Sequence, residues 1–363
     1  MKIMFLMQCR KVAAVVSLVL CAVGVAHSQT NVVTDPVGFY QITLQSNSDT
    51  IVSIPFTRSP DYLGTIASIN NSNVTIAGSP GWTANQWAFP ATSPDGTTSN
   101  TYYLAFRNGN KEGGHFKILS NTTDTVVLNL DVEDLSQVSA GDQISIIPHW
   151  TLGTVFPSGQ GIAPSPNTLS HATEIYIPNF AGVGYNMSAS TNTYYYYNNW
   201  RRIGDANNHG SDVLIRDGYF IVRQKTATNT ILTASGNVHM TKLRAPIYVE
   251  QIKQDNYIGV VRPVAMSLND SQLFESGAFS NSASSLQITD SLYIYDNIAS
   301  GYNKSAAATY YRLSSGWRKV GSGVDFGSSN VFLPGNGYII RKASRSTVTN
   351  LFWSHPPTYT NSP

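Results

Sequence analysis

Charge, cysteine and helical patterning are all scarce in this chain, and each shortage closes off a class of function. Only 12% of the 363 residues are charged, against a usual share of about 25%. The two cysteines, Cys9 and Cys21, both lie near the N-terminus, and the only long apolar run is Val12 to Val25. Lys2, Arg10 and Lys11 flank that run on its N-terminal side, and Ala26-His27-Ser28 follows it. A basic start, an apolar stretch too short to span a bilayer, and small residues at −3 and −1 describe a secretory signal peptide, with cleavage expected after Ser28. In Leu18-Val19-Leu20-Cys21 the bulky Leu20 stands where a lipobox has a small residue, so Cys21 is not expected to carry a lipid.

Removal of the leader would leave no cysteine, which excludes disulfides, zinc–thiolate sites and cysteine catalysis. It would also leave 20 Lys plus Arg against 21 Asp plus Glu, a formal charge of −1. Such a chain has no basic field for phosphates, and nucleic acid is not an expected partner. No later segment is apolar enough for a transmembrane helix. The expected location is the periplasm, the cell surface or the extracellular space.

Polarity comes instead from Asn, Ser, Thr, Gly and Tyr, which favour strands and turns. Short β-branched or aromatic runs such as Ile51–Ile54, Thr125–Leu130, Gln143–Ile147 and Tyr338–Ile340 recur between turn residues. The best helical stretch, Leu268 to Phe274, is under two turns. The expected class is all-β.

One pattern occurs twice. Tyr176-Ile177, Gly184-Tyr185-Asn186, Ser188-Ala189, Tyr194, Trp200-Arg201 and Gly204 reappear 117 residues later as Tyr293-Ile294, Gly301-Tyr302-Asn303, Ser305-Ala306, Tyr311, Trp317-Arg318 and Gly321. Val213, Ile221 and Arg223 then match Val331, Ile339 and Arg341 at an offset of 118. Upstream, Asp49 stands to the first copy as Asp255 stands to the second. Asp49 is 127 residues before Tyr176, however, whereas Asp255 is only 38 before Tyr293. The excess is the size of a small domain. We therefore expect two duplicated β-sandwich-like modules, the first (residues 29–68 plus 149–243) interrupted by a small inserted β-barrel at 69–148. The second module spans 244–355 and a tail covers 356–363. Tyr102–Phe106, Gly114–Ile118, Thr125–Leu130 and Ala140–Ile144 supply the strands of the insert, and closure would remove its exposed edges.

Asp35-Pro36-Val37-Gly38-Phe39, Val52–Arg58 and Ile147–Gly153 together resemble a family of uncharacterised exported bacterial proteins that occur as multiple paralogues. The similarity covers most of the chain after the leader, and the family has no established activity to carry over. More loosely, Tyr293–Asp296, Trp317 and Leu333–Ile340 resemble β-modules of large secreted surface proteins, which implies an adhesive or anchoring setting by fold analogy alone.

Catalytic motifs are missing from the chain. There is no His-Glu-x-x-His pair, no Gly-x-Ser-x-Gly elbow, no Walker loop and no dinucleotide fingerprint. His115, His149, His171, His209, His239 and His355 are scattered singly. Asp131, Glu133 and Asp134 cluster, but a glycosidase needs two carboxyls facing across a cleft, so a solvated turn is the expectation. Asp205 to Asp212 resembles a calcium loop, yet His209 takes the fifth place and Arg216 the twelfth, where a bidentate Glu belongs. No metal, cofactor or catalytic residue is expected.

Aromatic residues remain. Trp200 and Trp317 recur in both copies, with Tyr176, Tyr185, Tyr293 and Tyr302, and are expected to pack the repeated core. Trp82 and Trp87 lie in Gly81–Trp87 among Gly, Pro and Ser, and are the candidates for an exposed ligand-binding site, because loops carry binding residues more often than cores do; a long loop folding back over a barrel would instead bury both rings. The leading expectation is an exported, non-catalytic structural or adhesive protein that associates with itself. The alternatives are a carbohydrate-binding module protein whose partner is an extracellular polysaccharide, and a glycan-acting hydrolase.

Overall fold

Runs of Tyr, Val, Ile and Thr separated by Gly, Asn and Asp fold as short strands, with Asn47, Asn71 and Asn198 taking the left-handed backbone conformation between paired segments. The computed structural model describes residues 35–88, 101–131, 133–187 and 192–360. The leader and its cleavage point lie outside these residues. The account below concerns the unit Pro36–Pro363, whose described residues form an all-β structure.

The first module opens with β1 (Val37–Leu44) and β2 (Ser48–Val52). The chain then builds the barrel from β3 (Tyr62–Asn70), β4 (Asn73–Ile76), β5 (Tyr102–Phe106), β6 (His115–Asn121), β7 (Thr125–Leu128) and β8 (Gln143–Pro148). It returns as β9 (Trp150–Thr151), the one-turn helix α1 (Leu152–Val155), β10 (Thr173–Tyr176), β11 (Thr193–Tyr197), β12 (Asn199–Arg202), β13 (Val213–Leu214), β14 (Phe220–Gln224) and β15 (Thr230–Asn237). The second module runs through β16 (Leu243–Val249), β17 (Gln254–Gly259), β18 (Met266–Ser267), β19 (Ser291–Ile294), β20 (Ala308–Leu313), β21 (Gly316–Lys319), β22 (Asn330–Phe332), β23 (Gly337–Lys342) and β24 (Thr349–His355). Leu268 to Phe274 forms turns, while α1 is started by a reciprocal capping box between Thr151 and Thr154.

The modules share one strand order. The first has a five-stranded antiparallel sheet ordered β12-β11-β10-β14-β2, and the second has β21-β20-β19-β23-β17. Each adds a two-stranded ribbon, β1–β15 or β16–β24, and a short pair, β13–β9 or β22–β18. The ribbon lays Ile42, Leu44, Leu232 and Ala234 over Ile175, Phe220 and Val222 to form the first core. Ile247 and Trp353 do the same over Leu292, Tyr338 and Ile340 in the second.

The barrel closes in the order β3-β4-β7-β6-β5-β8, with β8 returning to β3. Closure pairs every edge, and Ile66, Val74, Leu104, Phe106, Ile118, Val126, Ile144 and Ile146 fill the interior. Its first strand starts at Tyr62, ahead of the expected boundary at residue 69, because Tyr62 to Thr65 already pairs with Gln143 to Ile146. One residue of the expected tail is held against the rest of the chain. Tyr359 donates a hydrogen bond to the His239 carbonyl at 2.9 Å and lies beside the Arg262 guanidinium.

In both five-stranded sheets the last strand, β2 or β17, is buried throughout although it is an edge. Its cover is the other module. A Cβ at Gly259, the last residue of β17, would sit 2.1 Å from the Gly218 carbonyl oxygen. Gly259→Ala should therefore destabilise the fold by about 1–3 kcal/mol. Gly323→Ala, where a Cβ meets nothing within 4 Å, should stay within about 0.5 kcal/mol of the parent. Urea unfolding of the two variants provides the comparison.

Candidate functional site: the junctions between modules and barrel

The exposed backbone of an edge strand must find partners, and here each module supplies them to the other. Asp49 on β2 donates its backbone N–H to the Gly301 carbonyl at 3.0 Å, and Asp255 on β17 donates to Gly184 at 2.8 Å. The Asp49 carboxylate accepts from the Asn303 N–H at 2.7 Å, and the Asp255 carboxylate accepts from the Asn186 N–H at 2.8 Å. Arg223 grips Asp49 with both Nε and Nη2 (2.7 and 2.8 Å), and Arg341 grips Asp255 at 2.6 and 2.8 Å. Each guanidinium also donates to the side-chain oxygen of the visiting asparagine, at 2.7 and 2.6 Å. Arg223 lies between the rings of Tyr176 and Tyr302, and Arg341 between Tyr293 and Tyr185. The Gly-Tyr-Asn tripeptide of each module is thus the key to a lock on the other.

This arrangement corrects the expected role of two tyrosines. Tyr185 and Tyr302 are 48% and 43% exposed, because their rings cover arginines at the junction instead of entering a core. Tyr176 and Tyr293 are half-buried on the same arginines. Trp200 and Trp317 are buried in the cores of their modules. Between the locks Ile51, Tyr219, Tyr257 and Ile339 pack together beside a cavity of about 550 Å³.

A second junction joins the barrel to both modules around a polar cluster. Lys111 and Glu133 from the barrel meet Arg244 from β16, and Glu112 accepts from the Lys242 N–H at 3.0 Å. Deeper lie His115 and His149 of the barrel, Arg216 and Asp217 of the first module, and His239 and Arg262 of the second. His115 Nε2 is 3.1 Å from Asp217 Oδ2. His239 Nε2 lies 3.0 Å from Arg216 Nη2 and 2.9 Å from the Lys242 carbonyl oxygen.

Burial dominates the electrostatics here. It pushes His115 down to about 4 despite the neighbouring Asp217, and holds His149 and His239 well below the usual histidine range, with Arg216 adding repulsion. His355, next to Arg262, is lowered to about 4 for the same reason. Burial raises the Tyr103 hydroxyl to about 12. A cleft of about 440 Å³ opens onto this cluster, with Tyr248, Tyr257, Phe180 and Phe352 among its lining.

Trp82 and Trp87, the expected ligand-binding pair, lie elsewhere. Each is only 6% exposed and belongs to the barrel core. Tyr62, Trp82, Trp87 and Tyr102 form a chain of edge-to-face contacts with centroids 4.9, 5.8 and 4.9 Å apart. The loop carrying the tryptophans folds over the barrel, with the Trp82 backbone N–H bound to the Thr123 carbonyl and the Trp87 backbone N–H to Asn121 Oδ1, and both rings are packed into the barrel core. Glu133 is also not the solvated acid expected of it, since Lys111 and Arg244 enclose it. In the calcium-like loop, the His209 ring bridges Asp205 and Asp212 at 3.1 and 2.9 Å. Among the described residues no group of three or more His, Cys, Asp or Glu is placed to hold a metal.

Neither junction could be assembled from sequence motifs. The only signals were the matched Asp49/Asp255, Arg223/Arg341 and Gly-Tyr-Asn elements. For Arg216 and Asp217 there was none. Comparison with known proteins adds no relative, as no family model, curated protein or solved structure matches the chain.

Two outcomes are expected. Asp255→Asn leaves the Arg341 guanidinium without its charged partner and should cost about 3–5 kcal/mol in chemical denaturation, with Asp49→Asn comparable. The buried histidines set the pH dependence. Their folded pKa values lie below the unfolded value of about 6.5, so the unfolded chain binds more protons as pH falls through 6.5. Stability should therefore be full above pH 7 and fall steadily towards pH 4, with His115 alone contributing on the order of 3 kcal/mol. Melting temperatures across pH 4–8 measure this, and replacing His115 and His239 with Gln should flatten the curve.

Proposed function

We propose that this chain is an exported, non-catalytic structural or adhesive protein of the cell envelope or extracellular space that associates with further copies of itself. The leader-like N-terminus supports export. Support for a non-catalytic role comes from the state of most of its buried acids: Asp49, Asp255, Glu174 and Asp290 are each committed to an arginine or lysine, as is the partly buried Glu133, and Asp217 is the exception. Such pairs maintain geometry, whereas an acid–base catalyst must exchange protons with a substrate.

The observation that carries the association reading is the outward face of the β1–β15 ribbon. Val37 and Phe39 lie on it, each 74% exposed, and Ile231 lies opposite Thr43 on the same face. The corresponding face of the β16–β24 ribbon carries Arg244 and Tyr248, which contact Glu133 and Asp131 of the barrel. One ribbon is therefore covered and its counterpart is open. Exposed apolar surface of this kind marks an interaction site.

The full chain, expressed for export and purified, should show concentration-dependent association by light scattering and regular assemblies by electron microscopy. Phe39→Asp should shift it to monomer without changing its melting temperature by more than a few degrees. A parent protein that stays monomeric at every concentration and ionic strength tried would sink the association reading.

A further inference from the structure

We propose that the cleft between the barrel and the two modules is a binding site for a neutral saccharide. This assignment is independent of self-association. Its floor is formed by Arg216 and Asp217, whose side chains are only 4% and 8% exposed. Arg216 Nε and Nη1 have no hydrogen-bond partner, and neither has either carboxylate oxygen of Asp217. Their mutual approach, 3.7 Å from Nε to Oδ1, is too long for a hydrogen bond. His115 lies near Asp217 but outside hydrogen-bond geometry. Buried polar groups are almost always paired, and leaving charged ones unpaired is expensive. Unused donors and unused acceptors therefore sit side by side, withdrawn from water, on two residues that line the cleft.

The chemistry of that floor selects the ligand. An anion would meet Asp217 and a cation would meet Arg216, each in a site where charge is poorly screened. A hydroxyl group both donates and accepts, so adjacent hydroxyls of a sugar ring can satisfy the carboxylate and the guanidinium together. Of the other charges around the cleft, Glu133 pairs with Arg244 and Asp255 with Arg341, and Lys117 and Asp131 contribute one charge of each sign. Tyr248 on the wall is half-buried and offers an aromatic surface to the apolar face of a sugar ring. At about 440 Å³ the cleft falls within the usual range for small-molecule sites.

The test uses the full chain against cellobiose, maltose, lactose and N,N′-diacetylchitobiose, with inorganic phosphate as the anionic control. Saturation-transfer NMR detects binding and calorimetry measures it. Saturable binding of at least one disaccharide is expected, weakened at least tenfold by Tyr248→Ala and by Asp217→Asn, with no binding of phosphate. Tyr248 is half-buried, so Tyr248→Ala should keep the parent melting temperature within a few degrees and decides the matter if Asp217→Asn fails to fold. The proposal is overturned if none of the four sugars binds saturably, if sugar affinity survives Tyr248→Ala, or if phosphate competes the sugar away.

Discussion

The rest of this structure depends on one constraint: the outer backbone of β2 and of β17 has to be hydrogen-bonded away from water. Both strands end a sheet and both are buried. The solution is reciprocal. Each module lends a Gly-Tyr-Asn loop and a second turn to the other, so that Gly301 and Gly335 serve β2 while Gly184 and Asp217 serve β17. The carboxylates that begin these strands are then neutralised within their own modules by Arg223 and Arg341. Neither sheet has a satisfied edge without its neighbour, which makes the pairing of the modules part of the fold.

The symmetry of that exchange is broken where it would otherwise collide. Tyr219 fills space that a Cβ at Gly337 would enter at 2.5 Å from its ring, and Ile51 in the first module corresponds to Tyr257 in the second. The barrel adds a larger asymmetry by covering the ribbon of one module and leaving the other open. Two modules of one strand order thus present two different surfaces, one committed to internal contacts and one facing outward.

Burial at the three-way junction has a further consequence. Arg216, Asp217, Arg262 and several histidines are withdrawn from water there, and the rings stay neutral chiefly because burial penalises their charged form, with Arg216 and Arg262 adding repulsion. Asp217 links the two junctions physically. Its carbonyl caps the end of β17 through Gly259, while its side chain lies on the floor of the cleft. Anything that reorganises this residue is felt at both the module interface and the cleft.

How much of this was legible in the sequence follows from the range of each interaction. The strands were, because alternation and turn residues act within a few positions. So was the interruption between Asp49 and Tyr176, because the spacing of matched residues is a property of the chain. Trp200 and Trp317 read as core because both copies of the pattern keep them. The failures all depended on what the rest of the molecule places alongside a residue. Trp82 and Trp87 lie in a loop with no strand pattern, and only the barrel beneath them decides that they are buried. Tyr185 and Tyr302 match between copies as packed residues do, yet the arginine each covers belongs to the other module. Arg216 and Asp217 carry no motif, and their unpaired atoms exist only because three separate parts of the chain close around them. The sequence alone determined the local conformation and the repeated pattern, which are set by neighbours along the chain. Tertiary structure alone decided which side chains share a junction, because burial and pairing there are set by residues distant along the chain.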